Sequence, residues 1–186
     1  MIAFATDPVQ AAAILLPLLI AQDVVGVWAF RRSIDLFVLG WTLAGAVIGI
    51  ALGYWYAASV SADAVLAMVG GISIAFGGYR LWRERLGAAA PSDSPGWVGS
   101  LFGIASGFTS QIAHAGQPPW QLWVLPRRLP RDMLVGTTAV YFALVNWIKV
   151  PAYLALGQFT RENLLTSAAL LPVAVASTFA GVWLVR

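Results

Sequence analysis

The chain has 186 residues, of which 60% are hydrophobic and 10% are charged, whereas a soluble domain usually carries about 25% charged residues. It contains no cysteine, which excludes disulfides, thiolate metal sites and a cysteine nucleophile. Its net charge of +3 comes from arginines spread over short loops between apolar runs, so we expect no nucleic-acid partner. These features predict an all-α, polytopic integral membrane protein surrounded by the lipid bilayer.

Three apolar segments open the chain and predict three membrane helices. These helices cover 9–30, 36–57 and 64–82. Asp23 lies inside the first of them, where an acidic side chain needs a partner. Ahead of them, Met1 to Thr6 carries no basic residue, so we expect no cleavable signal peptide.

Glycine spacing predicts close packing in two of these helices. In the second helix, three glycines recur at four-residue spacing and share one face: Gly45, Gly49 and Gly53. In the third helix, two pairs predict similar contacts: Gly70 and Gly71, and Gly77 and Gly78. Small residues of this kind let two helix backbones approach closely.

Residues 87–96 are rich in Pro, Ser and Gly and predict a linker. The linker divides the chain into a first, incomplete repeat at 1–86 and a second repeat at 97–186. The two parts resemble each other weakly, and in their alignment Asp23 falls on Lys149. Internal repeats are typical of secondary transporters, whose substrate sites lie near the membrane midplane between the repeats.

The segment 97–126 has no Asp, Glu, Lys or Arg, yet it does not read as an unbroken helix. Pro118 and Pro119 remove two amide donors, and Gly116 permits a non-helical backbone. Broken backbone at membrane depth must be buried in protein or line a wet cavity. We therefore predict a substrate-binding site lined by the polar residues around the break: Thr109, Ser110, Gln111, His114 and Gln117.

Two topologies are open for this segment. If it spans the membrane once, the arginines divide between both sides. If it re-enters, Arg161 alone lies outside and the other nine arginines lie inside, as the positive-inside rule prefers. We favour five spanning helices plus one broken, re-entrant element.

Two more membrane helices are predicted at 135–156 and 164–185. Asn146 and Lys149 lie about one turn apart in the first of these, on nearly the same face. A lysine at this depth either snorkels to the interface, binds an anionic substrate, or forms an ion pair with Asp23 that could also serve coupling. Asn146 either donates to a substrate oxygen or links to a neighbouring helix.

His114 is the only histidine. It could couple transport to protons, or it could bond backbone groups freed by the helix break. Ser110 lies four residues before it, but no acidic residue nearby could orient the imidazole, so a hydrolase is not predicted. We predict no enzyme activity, no catalytic residue, no metal site and no cofactor.

Two long stretches resemble the sulfite exporter TauE/SafE family, also called the 4-toluene sulfonate uptake permease family. They are SGFTSQIAHAGQPPWQLWVLPRRL at 106–129 and VGTTAVYFALVNWIKVPAYLALGQFT at 135–160, and PVQAAAILLPLLIAQD at 8–23 is similar too. The resemblance implies a bacterial inner-membrane carrier with two related halves, linked in some members to sulfite or sulfonates. It also implies a glycine-rich segment before the first helix and one more helix after the last, so we expect the chain to be truncated at both ends.

The predicted function is secondary transport of a small anion, namely sulfite, a sulfonate or a related sulfur oxyanion, by alternating access. Asn146 and Lys149 are expected to face the polar residues of 109–117. The protein is expected in the inner membrane, and a homo-oligomer is compatible with the sequence. The alternative is a non-transporting membrane subunit or an inactive fragment of such a transporter.

Overall fold

The computed structural model describes residues 8–59, 61–86 and 91–185. This part of the chain is helical and contains no strand, which confirms the predicted all-α class. Its helices are α1 (Pro8–Phe30), α2 (Leu36–Ser59), α3 (Ala62–Leu86), α4 (Gly96–Ala113), α5 (Gln117–Val124), α6 (Arg131–Ala155) and α7 (Arg161–Val185). A 3-10 turn at Leu125–Arg127 extends α5.

Four helices of the described chain are long and apolar enough to cross a membrane. They are Gln10–Phe30, Leu36–Ala57, Arg131–Ala155 and Arg161–Leu184, so the protein is a multi-pass membrane protein. Helix α3 contains a shorter apolar stretch, Leu66–Tyr79. A fifth span at α3 and a membrane-re-entrant segment at 97–126 therefore stay predictions.

Two sequence predictions extend beyond the described residues. Met1 to Thr6 lies outside them, and so do residues 87–90 of the predicted linker. The remaining linker residues, 91–95, are non-helical, and α4 begins at Gly96.

The chain packs as two compact units. The terminal unit consists of Met1–Gly40 and Pro130–Arg186, and the central unit of Trp41–Leu129. These units do not coincide with the predicted repeats at 1–86 and 97–186. The repeats are defined by similarity between two stretches of sequence, whereas the units are defined by which residues pack together. The repeats remain a prediction.

In the terminal unit, α1 packs against both α6 and α7. It runs antiparallel to α6, since Leu16 clusters with Tyr153 while Gly26 lies near Ala139. It runs parallel to α7, because the contacts of the two helices advance together along the chain. These contacts are Gln10 Nε2 to Asn163 Oδ1 (3.0 Å), Ser167 Oγ to the Ile14 carbonyl (2.8 Å) and Gln22 Nε2 to the Ala174 carbonyl (3.2 Å).

In the central unit, α2 and α4 pack at the distance of backbone contact. A Cβ at Gly49 would overlap the carbonyl oxygen of Ile104, and a Cβ at Gly53 would lie 2.9 Å from the Gln111 Cβ. On α4, Gly107 lies in the same way against the Ala46 backbone. The close-packing face predicted for α2 is therefore confirmed.

The four glycines of α3 behave differently. A Cβ at any of them would meet no heavy atom within 4 Å: Gly70, Gly71, Gly77 and Gly78. Among the described residues no backbone lies opposite these glycines, so the close contacts predicted for this helix are wrong for that part of the chain.

Candidate functional site

Helices α4 and α5 form an antiparallel hairpin. At its base, Gly99 of α4 lies against the Trp123 ring of α5; at its other end, Gly116 lies against the Ser106 carbonyl. Two bonds join the flanking segments at the base: the Ser92 N–H donates to the Pro126 carbonyl at 3.0 Å, and the Arg127 guanidinium donates to the Ser94 carbonyl. The chain therefore enters and leaves the hairpin at the same end.

The turn between the two helices, residues 114–116, is here called the elbow. His114 ends α4 in a left-handed conformation with φ 51°. Its N–H donates to the Ser110 carbonyl at 3.1 Å, and the Ala115 N–H donates to the Thr109 carbonyl at 3.2 Å. Left-handed helix caps are usually Gly or Asn, so the backbone of His114 has a structural role in addition to any role of its imidazole.

Two hydroxyl groups of α4 satisfy carbonyl oxygens of the elbow. The Ser106 hydroxyl donates to the Gly116 carbonyl at 2.7 Å. The Thr109 hydroxyl lies 2.9 Å from the Ala115 carbonyl and 2.9 Å from the Ala105 carbonyl. The Thr109 hydroxyl can donate its one proton to either of these two carbonyls. Thr109 therefore connects α4 to the elbow and helps to hold the elbow in place.

The start of α5 offers fewer amide donors than an ordinary helix start. Pro118 and Pro119 have no N–H, and the Trp120 N–H donates to the Gly116 carbonyl at 3.3 Å. Gln117 therefore contributes the one backbone N–H among the first three residues of α5, and its side chain is exposed.

Before the break, the polar side chains of Ser110 and Gln111 are only 2% and 3% exposed.

A second polar group lies in the terminal unit and is here called the charge cluster: Asp23, Asn146 and Lys149. The Asn146 Nδ2 donates to the Asp23 Oδ2 at 2.7 Å, which links α6 to α1. Lys149 is 0% exposed, and the predicted ion pair between Lys149 and Asp23 stays a prediction. A fully enclosed side chain does not reach the interface, which argues against snorkelling and leaves the ion pair and the anion-binding role as predictions.

The structure thus brings the predicted site residues together in two groups. The charge cluster belongs to the terminal unit. The other predicted residues belong to the central unit and are here called the elbow group: Thr109, Ser110, Gln111, His114 and Gln117. That Asn146 and Lys149 face the elbow stays a prediction. The sequence marks Ser106 as a neutral donor of this stretch without placing it in the site, and the structure places its hydroxyl against the Gly116 carbonyl.

Comparison with known proteins gives one match. Neither the curated proteins nor the solved structures contain one that matches this chain. The sequence model of the sulfite exporter TauE/SafE family matches residues 1–186, the whole chain. Members of that family are membrane transporters and not enzymes. The chain therefore belongs to the sulfite exporter TauE/SafE family.

Proposed function

We propose that this protein is a secondary transporter of sulfite, a sulfonate or a related small sulfur oxyanion, and that the elbow group contacts the anion. One observation carries the proposal: the elbow satisfies its own carbonyl oxygens. The Ser106 and Thr109 hydroxyls cover the Gly116 and Ala115 carbonyls, which would otherwise repel an anion. The groups left to attract an anion are the positive end of the α5 helix dipole and the backbone N–H of Gln117.

The other elbow side chains are proposed to complete the site with neutral donors. Ser110, Gln111, His114 and the Gln117 carboxamide are the candidates for direct contact, and Thr109 is proposed to position the others. Neutral donors suit an anion that must be released again, because a buried opposite charge would bind it more strongly. Transport would proceed by alternating access, in which the site opens to one side of the membrane at a time.

We further propose that the α4–α5 hairpin re-enters the membrane without crossing it. The antiparallel arrangement of α1 and α6 supports this, since it requires an even number of crossings between them. With α2 and α3 both crossing, residues 97–126 must return to their starting side. The junction of Ser92 with Pro126 supports the same topology.

This topology suggests which membrane side is cytoplasmic. It places nine of the ten arginines on one side and Arg161 on the other. By the positive-inside rule, the arginine-rich side faces the cytoplasm of a cell that carries the protein in its inner membrane.

A flux assay on the full chain tests the proposed transport. Vesicles containing the protein are loaded with sulfite, and its release is followed over time. We expect release from wild-type vesicles and about tenfold slower release with Gln117→Ala, which removes the exposed side-chain carboxamide and keeps the backbone N–H, since a hydrogen bond to a charged ligand contributes about 1.5–3 kcal/mol. The control is Gln158→Ala in the α6–α7 loop, which is expected to match the wild type.

Two results would count against the proposal. Equal rates for wild type and Gln117→Ala would remove the Gln117 side chain from the site. Absence of sulfite and sulfonate flux in the wild type would favour the alternative, a non-transporting subunit or inactive fragment.

A further inference from the structure

The terminal unit contains a further polar site at the end of α1. A cavity of about 450 Å³ opens there, lined by Trp28, Ala29, Phe30, Arg31, Arg32, Ser33 and Asp132. Its volume falls within the range typical of small-ligand sites. All of these residues belong to the terminal unit, so the cavity is formed by one packed body.

The cavity lies where two membrane spans end. The apolar span of α1 runs from Gln10 to Phe30, and that of α6 starts at Arg131. Trp28 is 61% exposed, and tryptophan at the end of a span is typical of the membrane–water interface. The cavity therefore opens at the depth of lipid head groups.

The lining has an excess of positive charge. Arg31 and Arg32 contribute two guanidinium groups against the single carboxylate of Asp132. Arg31 is held in place at two points: its guanidinium donates to the Trp28 carbonyl and lies 5.6 Å from the centre of the Trp28 ring. An arginine positioned in this way loses less conformational freedom when it binds a phosphate, and its remaining N–H groups match phosphate oxygens.

We propose that this cavity binds a phosphate-type oxyanion, supplied either by the head group of an anionic phospholipid or by free phosphate in solution. The aromatic rim and the position at the span ends suit a lipid, whose acyl chains would remain in the bilayer. Arg31 and Arg32 are both exposed, and what distinguishes this cavity from a general basic surface is that the Trp28 carbonyl and ring hold Arg31 in place. Binding at this cavity is proposed independently of the transport function proposed above.

The test measures how tightly the purified full chain retains phosphatidylglycerol, using native mass spectrometry and lipid titration. We expect saturable binding to the wild type, about tenfold weaker for Arg31→Gln/Arg32→Gln and unchanged for Arg128→Gln, an exposed arginine outside the cavity. Asp132→Asn is expected to tighten binding, because it removes a like charge beside the anion. This variant keeps the test decisive if the double variant folds poorly.

Inorganic phosphate, titrated in phosphatidylcholine nanodiscs, distinguishes the two sources. Competition by phosphate at similar concentration would identify a site for free oxyanions, whereas binding of the lipid alone would identify a lipid site; either supports the proposal. Equal retention by the wild type and Arg31→Gln/Arg32→Gln would overturn it. An equal loss with Arg128→Gln would also overturn it, since binding would then reflect surface charge alone.

Discussion

Gly49→Ala is expected to destabilise the protein by about 3 kcal/mol, the upper end of the usual cost of overpacking. The added methyl group would overlap the Ile104 carbonyl, which belongs to a helix backbone that has no rotamer to adjust. Helices α2 and α4 would have to move apart, and the contacts along their whole interface would weaken with them. Unfolding in detergent, followed by circular dichroism, measures the loss.

Gly40→Ala provides the matched control in the same helix. A Cβ at Gly40 would meet nothing within 4 Å, and alanine favours a helix over glycine by about 1 kcal/mol. Gly40→Ala is therefore expected to be neutral or slightly stabilising. Similar destabilisation by both variants would contradict the assigned α2–α4 contact.

The second large effect is expected at the charge cluster. Lys149→Met removes the positive charge of the predicted pair and leaves the Asp23 carboxylate alone. Asp23→Asn removes the negative charge and leaves the enclosed Lys149 ammonium alone. Removing one partner of a buried pair costs about 3–5 kcal/mol, whereas removing both together is often neutral. We therefore expect each single variant to be strongly destabilised and Asp23→Asn/Lys149→Met to recover most of the stability.

A double-mutant cycle on unfolding free energies measures this coupling. Asp93→Asn, in an exposed loop, controls for the loss of a carboxylate as such. Additive effects of the two single changes would show that the charges do not interact. If the double variant is stable, its sulfite flux separates the two roles: retained flux indicates a structural pair, and lost flux indicates a part in transport or coupling.

The sequence predicted the five helices outside 97–126 well, because each contains an apolar run bounded by charged or loop-forming residues. It also located the break near Pro118 and Pro119, whose missing amides act locally. Spacing alone did not separate the glycines of α2 from those of α3. A small residue permits close packing, but only an opposing backbone produces it, and that partner is distant in sequence.

The functional side chains were harder to predict for the same reason. The spacing of Asn146 and Lys149 placed them on one face, yet only the fold shows that the Asn146 amide is bonded to Asp23. Pro118 and Pro119 were predictable as helix breakers from the sequence. That they take backbone donors from the first turn of α5 depends on α5 beginning at Gln117, which only the fold shows. The cavity at Arg31 and Asp132 joins residues about a hundred positions apart, beyond the reach of local pattern.

Accessibility of the loop after the hairpin tests the re-entrant topology most directly. Because the chain contains no cysteine, each single substitution introduces its only thiol: Arg128→Cys after the hairpin, with Arg32→Cys and Glu162→Cys as references for the two sides. In intact cells we expect a membrane-impermeant maleimide to label Glu162→Cys alone, and to label Arg128→Cys and Arg32→Cys only after permeabilisation. Labelling of Arg128→Cys in intact cells, as for Glu162→Cys, would contradict a hairpin that enters and leaves on the cytoplasmic side.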